Sequence, residues 1–418
     1  MMTTMINRFR RGSRVLGAVA LALTLSGCEN LLDVQLPGST PAEAIDDPTY
    51  GELLVVSAQG IFENALSTYS FNAGHIAGEL IGGQSALGDI PFQRRDIRAI
   101  DTQGDNLYNQ LSKARFLADD AYKRLSAWTD AQVPNRTRLL GQAALWAGYA
   151  YTLFGEGYCR AAFDLGPAQT PTQTLQLAKD RFTKAIEHAT AANDATTLNT
   201  ALVGRARVLL QLGEGPAALA DARRVVAAAP TFSRIASRSA ASTDRRNTIF
   251  NRNVTARSLS IDPKYWNTTY NGVADPRVRL TNTNTIAADG LTPLYQQTKY
   301  VADATPIRFA SATEARLIVA ELAPAEAEAI INALHTAAGL PAIPTGMTPA
   351  QLKAQVVEER RREFFLEGRR LADLRTYGGF QEWTWGKNPF VGYEYGRTQC
   401  FPLPDSEVTA NPNVEPVG

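Results

Sequence analysis

The sequence is poor in the residues that build metal centres and thiol chemistry. Its 418 residues include only three cysteines and three histidines, which are widely scattered and lack the spacing of metal ligands. We therefore expect no metal site, no Cys/His catalytic site and no cofactor. The formal net charge is only +1, so charge gives no support for nucleic-acid binding.

Catalytic signatures are scarce as well. The chain contains no Gly-rich phosphate loop and no G-x-S-x-G nucleophile motif. The most suggestive carboxylate pair is Glu363 and Glu367, which lie four residues apart between two arginines. Ion pairing with those arginines keeps a carboxylate charged, and a charged carboxylate cannot act as a general acid. We expect the protein not to be an enzyme.

Long apolar runs are also missing. The apolar stretch Val15 to Leu25 has 11 residues, whereas a bilayer span needs about 20. It follows four arginines between residues 8 and 14 and ends at Leu25-Ser-Gly-Cys28, so residues 1–27 are interpreted as an export signal. The ending resembles the bacterial lipobox, in which signal peptidase II cuts before a cysteine that carries diacylglycerol. Lipidation of Cys28 would anchor the protein rather than make it span the membrane; the alternative is a secretory signal with a chance cysteine.

The segment after the signal is rich in proline and has no helical period. Residues 28–48 are therefore interpreted as an extended tether. If Cys28 is lipidated, Cys159 and Cys400 remain. The sequence is compatible with a disulfide between them and equally with two independent buried thiols.

The body of the chain is predominantly helical by its hydrophobic periodicity. Helices are expected at 49–67 and 105–128, and the Gly-rich stretch 72–92 is expected to be a long structured loop with some helix. Residues 135–230 resemble tetratricopeptide hairpins, with small residues at helix crossings and closing glycines and prolines. Their four helices are predicted at about 135–155, 175–192, 198–212 and 216–228. Residues 231–310 lose this period and are expected to form a loop-rich region with short strands.

Charges are densest between residues 359 and 375. Arg360, Glu363, Glu367 and Arg370 follow one another at spacings of three and four, and they fall on the same helical arc as the apolar residues. Charges on an apolar stripe must be paired, because an unpaired buried charge is costly. We predict a partly buried ionic ladder along one helix. The alternative is a solvated charged helix that Gly368 interrupts.

The same stretch resembles the C-terminal signature of the SusD/RagB family. The matching residues are Glu359, Arg360, Glu363, Phe364, Glu367, Gly368, Arg370, Asp373 and Leu374. Two flanking segments are similar to the family as well, Arg308 to Glu321 and Phe401-Pro-Leu-Pro to Pro412, so the signature region covers 305–412. Ser311 departs from the family pattern, which has an acidic residue there, and the Arg-rich segment around 335–339 is weaker than usual.

The resemblance implies a fold and a function. The fold would be mainly α, a single SusD-like domain over 49–418 with tetratricopeptide-like hairpins and a long irregular region. The function would be that of a non-catalytic, lipid-anchored protein on the outer-membrane surface that binds a nutrient, a glycan or oligosaccharide. It would work with a SusC-type TonB-dependent barrel. The alternative is a tetratricopeptide-type envelope scaffold that binds other proteins.

In family members the ligand meets the loop after the first helix and the irregular middle region. The aromatic residues that occupy those places here are Phe92, Tyr265, Trp266, Tyr270 and Tyr295. They are candidate ligand-binding residues by location alone, and each residue of this type is more often found in a core. Trp383 and Trp385 are expected to be structural.

Overall fold

Helices form most of the structure, a computed structural model that describes residues 46–415. The predicted signal peptide, the proposed lipidation site Cys28 and the tether up to residue 45 lie outside the described residues. The helices are α1 Gly51–Ile76, α2 Ile90–Gln93, α3 Thr102–Ala127, α4 Arg136–Gly157, α5 Pro171–Ala191, α6 Ala195–Gln211, α7 Gly215–Ala228, α8 Thr248–Phe250, α9 Ala312–Leu322, α10 Pro324–Ala338, α11 Pro349–Glu363, α12 Arg370–Tyr377, α13 Phe380–Trp383 and α14 Asp405–Ala410. Within residues 46–415 none of them is long and apolar enough to cross a bilayer.

Helices α4 to α7 form the two predicted tetratricopeptide-like hairpins. The Thr170 hydroxyl and the Gln173 side chain form a capping box that starts α5, and Asp194 accepts from the Thr197 backbone amide to start α6. A Cβ atom added at Gly148 or Gly204 would lie only 2.8 or 2.5 Å from the Phe182 ring. The glycines therefore let α4 and α6 close around one aromatic side chain of α5.

Helix α1 covers the open face of these hairpins. Two repeats are too few to bury their own apolar faces, so another helix has to cover them. Phe62 of α1 packs against Trp146 of α4, with ring centroids 5.4 Å apart, and against Phe309 at 5.6 Å. The helix is longer than predicted: it continues past residue 67 to Ile76. Residues 72–76, in the stretch expected to be a loop with some helix, are helical and buried. Tertiary burial overrides the weak helix preference of this Asn- and Gly-containing segment.

The strands are short, and each forms a two-stranded antiparallel sheet with one other strand. They are β1 Leu80–Gly82, β2 Ser233–Ala236, β3 Leu259–Ile261, β4 Thr269–Tyr270, β5 Val273–Ala274, β6 Leu280–Ile286, β7 Pro293–Gln297 and β8 Ile307–Ser311. The pairs are β1–β3, β2–β8, β4–β5 and β6–β7. Of the eight strands in the described part of the chain, seven begin within 231–310, which agrees with the predicted loop-rich region containing short strands.

The C-terminal segment returns to the first half of the chain. Cys159 and Cys400 form a disulfide, which decides between the two alternatives that the sequence left open. Beside it the Cys159 amide donates to the Phe401 carbonyl (3.0 Å), and the Phe401 amide donates to the Gly157 carbonyl (2.8 Å). The Asp405 amide donates to the Ala99 carbonyl (3.0 Å) further along. We call residues 398–414 the C-terminal strap.

Candidate functional site

Three aromatic rings from distant parts of the chain form a parallel stack. Trp266 lies nearly flat against Tyr295 of β7, with ring centroids 3.7 Å apart and planes 9° apart. It also lies parallel to Phe390, at 5.8 Å and 13°. All three residues are partly exposed. We call these three residues the aromatic stack.

The backbone around the aromatic stack is held by hydrogen bonds. The Trp266 indole Nε1 donates to the Ile261 carbonyl (2.8 Å) at the end of β3. The Tyr295 amide donates to the Ser260 hydroxyl (2.8 Å), and the Asn253 side-chain amide donates to the Tyr295 carbonyl (3.0 Å). Because these partners are supplied from within the fold, the rings are fixed in place before any ligand arrives.

A polar strand borders the aromatic stack. Strand β6 reads Leu-Thr-Asn-Thr-Asn-Thr-Ile, and most of its residues are exposed. Asn282 pairs with Tyr295 across the β6–β7 ladder and donates to its hydroxyl (3.0 Å). The surface therefore combines aromatic rings with neighbouring amides and hydroxyls. This combination suits a rigid ligand ring with an apolar face and polar edges.

The structure brings together two of the five predicted ligand-binding residues, Trp266 and Tyr295. Phe92 and Tyr265 are fully buried: Phe92 lies 6.0 Å from Phe401 and Tyr265 stacks on Phe365 at 4.9 Å, so neither presents a face to a ligand in this structure.

The fifth predicted residue, Tyr270, is partly exposed but lies elsewhere, against His335, with ring centroids 4.5 Å apart. Phe390 was not among the candidate residues. The sequence does place Phe390 among six aromatic residues between positions 380 and 395, and that density is a signal that pointed to it.

The predicted ladder along one helix is corrected by the structure. Helix α11 ends at Glu363, and the chain turns through Leu366 (φ 62°) and Gly368 (φ 74°) before α12 begins at Arg370. A Cβ atom at Gly368 would lie 2.8 Å from the Ser70 hydroxyl oxygen of α1. The close approach to α1 and the positive φ both favour glycine here, and they break the helix that periodicity had extended through this point.

The four charges are buried or nearly so, but their partners come from other parts of the chain. Arg360 pairs with Asp373 (2.6 Å). Glu363 pairs with Arg308 (2.8 Å), and Glu367 pairs with Lys299 (2.7 Å) and Arg308 (3.0 Å). Arg370 has no carboxylate partner within the described residues and lies 4.8 Å from the Trp383 ring centroid. Arg360 and Asp373 thus join α11 to α12, while Glu363 and Glu367 join the end of α11 and the turn after it to β8 and to the residues just after β7. The charges do not join one helical turn to the next.

A second buried group of charges joins the hairpins to the C-terminal helices. Both nitrogens of the Arg207 fork, Nε and Nη2, donate to the Glu314 carboxylate at 2.7 Å. Arg369 approaches the same carboxylate at 2.9 Å. Burial alone would raise the pKa of Glu314, but attraction to the two arginines lowers it to about 2.

One buried carboxyl lacks such a counterion. Glu79 accepts a hydrogen bond from the Leu366 amide (2.9 Å) on one oxygen, while its other oxygen has no hydrogen-bond partner within residues 46–415. Burial raises the pKa of Glu79 to about 7, despite that hydrogen bond and the more distant charge of Arg370. Over the same residues no three His, Cys, Asp or Glu side chains cluster as metal ligands do.

A family model of the SusD family matches residues 311–415, which contain α9 to α14 and the buried charges of α11 and α12. The predicted resemblance to the SusD/RagB family is confirmed over this C-terminal region. A comparison with curated protein sequences finds no significant match.

Solved SusD-like structures share the fold over most of the chain. A SusD superfamily protein from Bacteroides vulgatus superposes with a TM-score of 0.70 at 15% identity, over 88% of this chain and 98% of its own. A SusD-like carbohydrate binding protein from the same organism gives 0.66 at 14% identity, over 88% and 97%. Surface glycan-binding protein A from Bacteroides thetaiotaomicron, solved in complex with laminarihexaose, gives 0.66 at 15% identity, over 87% and 98%. The predicted mainly α, SusD-like fold is confirmed.

Proposed function

We propose that this SusD-like protein is a non-catalytic glycan- or oligosaccharide-binding protein that contacts its ligand with the aromatic stack. The observation that carries the proposal is the parallel packing of Trp266 with Tyr295 and Phe390 beside the exposed amides and hydroxyls of β6. Sugars have apolar faces that stack on aromatic rings and hydroxyl edges that hydrogen-bond to Asn and Thr side chains. The glycan-binding descriptions of two structural neighbours support the same ligand class.

The proposal includes a membrane anchor and a partner. Lipidation at Cys28 holds the protein to the outer membrane, with which the SusD family is associated, and its surface-exposed body delivers the ligand to a SusC-type TonB-dependent barrel. The match of residues 311–415 to the SusD family model and the lipobox-like sequence before Cys28 support this arrangement. Purification of the tagged protein from native membranes tests it: retrieval of no TonB-dependent barrel would contradict the partnership.

A glycan screen followed by calorimetry tests the binding surface. Trp266→Ala removes the shared member of the aromatic stack and is expected to weaken glycan binding at least about tenfold, equivalent to about 1.4 kcal/mol. The matched control is Phe116→Ala, which removes an aromatic side chain that is 52% exposed on α3, away from the aromatic stack. The bound glycan should be recovered intact, because no catalysis is proposed. An unchanged affinity for Trp266→Ala would contradict the assignment of this surface.

A further inference from the structure

A cavity with a charged lining lies between strand β8, the residues that follow β7 and the end of α11. Its volume is about 480 Å³, which is within the range of small-molecule sites. None of its lining residues belongs to the aromatic stack. The charged residues of the lining are Arg277, Arg279, Lys299, Arg308, Glu363 and Glu367. Because four cations face only two carboxylates, we call this cavity the cationic pocket.

Two of the cations are held in place by the end of α11 and the turn after it. The Lys299 ammonium group donates to the Phe365 carbonyl (2.8 Å) and to the Glu367 carboxylate (2.7 Å). The Arg308 guanidinium donates to the Glu363 carbonyl (2.9 Å). It also pairs with the Glu363 and Glu367 carboxylates, at 2.8 and 3.0 Å. Both cationic side chains are therefore ordered before a ligand arrives, and little of their freedom remains to be lost on binding.

A third cation, Arg277, is balanced from outside the cationic pocket. It pairs with Asp275 (2.8 Å) and Glu359 (2.7 Å), neither of which lines the pocket. A guanidinium group has five N–H donors, and these two carboxylates receive three of them. The Lys299 ammonium group uses two of its three donors. Unused donors therefore remain on both side chains.

Arg279 is the cation that no carboxylate balances. Its side chain is exposed and makes no hydrogen bond or ion pair within residues 46–415. Its backbone is fixed nonetheless, because the Arg279 carbonyl accepts from the Thr298 amide and from the Thr298 hydroxyl (both 3.2 Å). The cationic pocket thus keeps a positive charge that its ion pairs do not neutralise, on a side chain whose donors are all unused.

The unused donors select the class of ligand. Arginine and lysine side chains donate hydrogen bonds and accept none, so a matching ligand supplies acceptors and negative charge. The cations come from three segments of the chain, which are the residues just before β6, those just after β7, and β8 itself. A tetrahedral oxyanion presents oxygen atoms in several directions, whereas a carboxylate presents two in one plane. Phosphate and sulfate groups suit this arrangement, and arginine matches the geometry of such groups.

We propose that the cationic pocket binds a tetrahedral oxyanion, phosphate or sulfate, either as the free ion or as a group on a larger molecule. Arg279 supplies the charge that is not neutralised, and Arg277 and Lys299 supply further donors. The proposal goes beyond the proposed function and does not depend on it, since the cationic pocket and the aromatic stack share no residue.

Calorimetry with the full chain tests the proposal with three probes. Inorganic phosphate and inorganic sulfate represent the free ion, and glycerol 3-phosphate represents a phosphate group on a larger molecule. Sodium chloride keeps the ionic strength constant, because screening alone changes the apparent affinity. Wild type is expected to bind at least one probe with a Kd of about 1 mM or tighter. Binding of glycerol 3-phosphate as tight as that of phosphate supports the attached group, and binding of the inorganic ions alone supports the free ion.

Two variants and a matched control locate the site. Arg279→Glu replaces the cation that is not neutralised by an anion and should weaken binding at least about tenfold. Thr298→Trp should have a similar effect by filling the cationic pocket from an exposed position of its lining. The control is Arg224→Glu, because Arg224 is an exposed arginine on α7 that does not line the pocket, and its replacement changes the net charge equally. Thermal melting without probe checks that each variant is folded.

Three results would overturn the proposal. Wild type could bind none of the probes with a Kd of about 1 mM or tighter. Arg279→Glu and Thr298→Trp could both bind like wild type, which would place the ion elsewhere. Arg224→Glu could lose as much affinity as Arg279→Glu, which would mean that binding follows the net charge alone. Trp266→Ala should bind the probes like wild type, so failure of glycan binding and failure of oxyanion binding are distinguished.

Discussion

Replacing Glu314 by glutamine is expected to destabilise the protein strongly. The Glu314 side chain is only 2% exposed and lies between the guanidinium groups of Arg207 and Arg369, which are 3% and 4% exposed. Glutamine has nearly the same shape but carries no charge. Glu314→Gln therefore takes the nearest counterion from two buried cations, with Glu156 left at 3.9 Å from Arg369, while changing the packing very little.

Two independent routes give the size of this effect. Breaking a buried ion pair by removing one partner costs about 3–5 kcal/mol. The second route starts from the pKa of Glu314, which falls from an ordinary 4.5 to about 2 on folding. That shift corresponds to a stabilisation on the order of 3 kcal/mol. Because the folded pKa is the lower one, this stability is present above about pH 4.5 and is lost as the pH falls towards 2.

Urea unfolding followed by circular dichroism measures the loss. At pH 7 Glu314→Gln should lower the free energy of unfolding by about 3–5 kcal/mol. The matched control is Glu326→Gln, because Glu326 pairs with Arg223 at a site where both side chains are about half exposed (48% and 52%). Exposed pairs contribute little, so the control should lose less than about 1 kcal/mol. The difference between wild type and Glu314→Gln should shrink as the pH approaches 2. Equal losses for both variants at pH 7 would refute the argument.

Three further changes test other parts of the structure. Glu79 has a folded pKa of about 7 and an ordinary value of 4.5, so its contribution is present below pH 4.5 and is lost as the pH rises through 7. Glu79→Gln should therefore flatten the pH dependence of unfolding between pH 5 and 8, by an amount on the order of 3 kcal/mol. Replacing Cys159 and Cys400 by serine removes a disulfide that spans 241 residues and should lower the free energy of unfolding by about 2–5 kcal/mol in urea. Gly368→Ala should lower the melting temperature, because a Cβ atom there meets the Ser70 side chain in a conformation with φ of 74°.

Each of these tests has an outcome that contradicts it. Parallel pH profiles for wild type and Glu79→Gln would mean that the carboxyl titrates normally in the folded protein. Equal stability with and without reductant would mean that the disulfide adds nothing. A Gly368→Ala variant that melts like Gly346→Ala would contradict the tight contact, since Gly346 also has a positive φ (74°) but has no atom near its Cβ position.

The sequence predicted the hairpin helices well because their signal is local. Small residues, closing glycines and helical periodicity all lie within the stretch that they describe. The prediction from sequence failed where contacts between residues far apart in the chain determine the secondary structure. Asn72 and His75 resemble loop residues in sequence, yet they are buried in α1 by tertiary packing. At Gly368 the periodicity continues, but contact with Ser70 ends it.

The candidate site shows the same limit. Tyr265 and Trp266 are neighbours in the chain, but Tyr265 is buried against Phe365 while Trp266 joins the partly exposed aromatic stack. Residue type and location could not separate them, because the direction of each side chain is set by the 3₁₀ turn that precedes Trp266. Phe390 joins the stack although it lies 124 residues after Trp266 and 95 after Tyr295 in the chain, and no local pattern indicates such a contact.

The C-terminal strap has a consequence for the order of folding. Phe401 is fully buried, and its ring lies 5.2 Å from Tyr158 and 5.9 Å from Tyr69 by ring centroids. These contacts join residues separated by more than two hundred positions, and contacts of such long range slow the folding of a chain. Until the C-terminal strap docks, both tyrosines lack one of their aromatic neighbours, and the apolar surface around them is incompletely covered. Docking of the C-terminal strap is therefore a late step of folding. Loss of the strap would expose apolar surface and make the protein prone to aggregation.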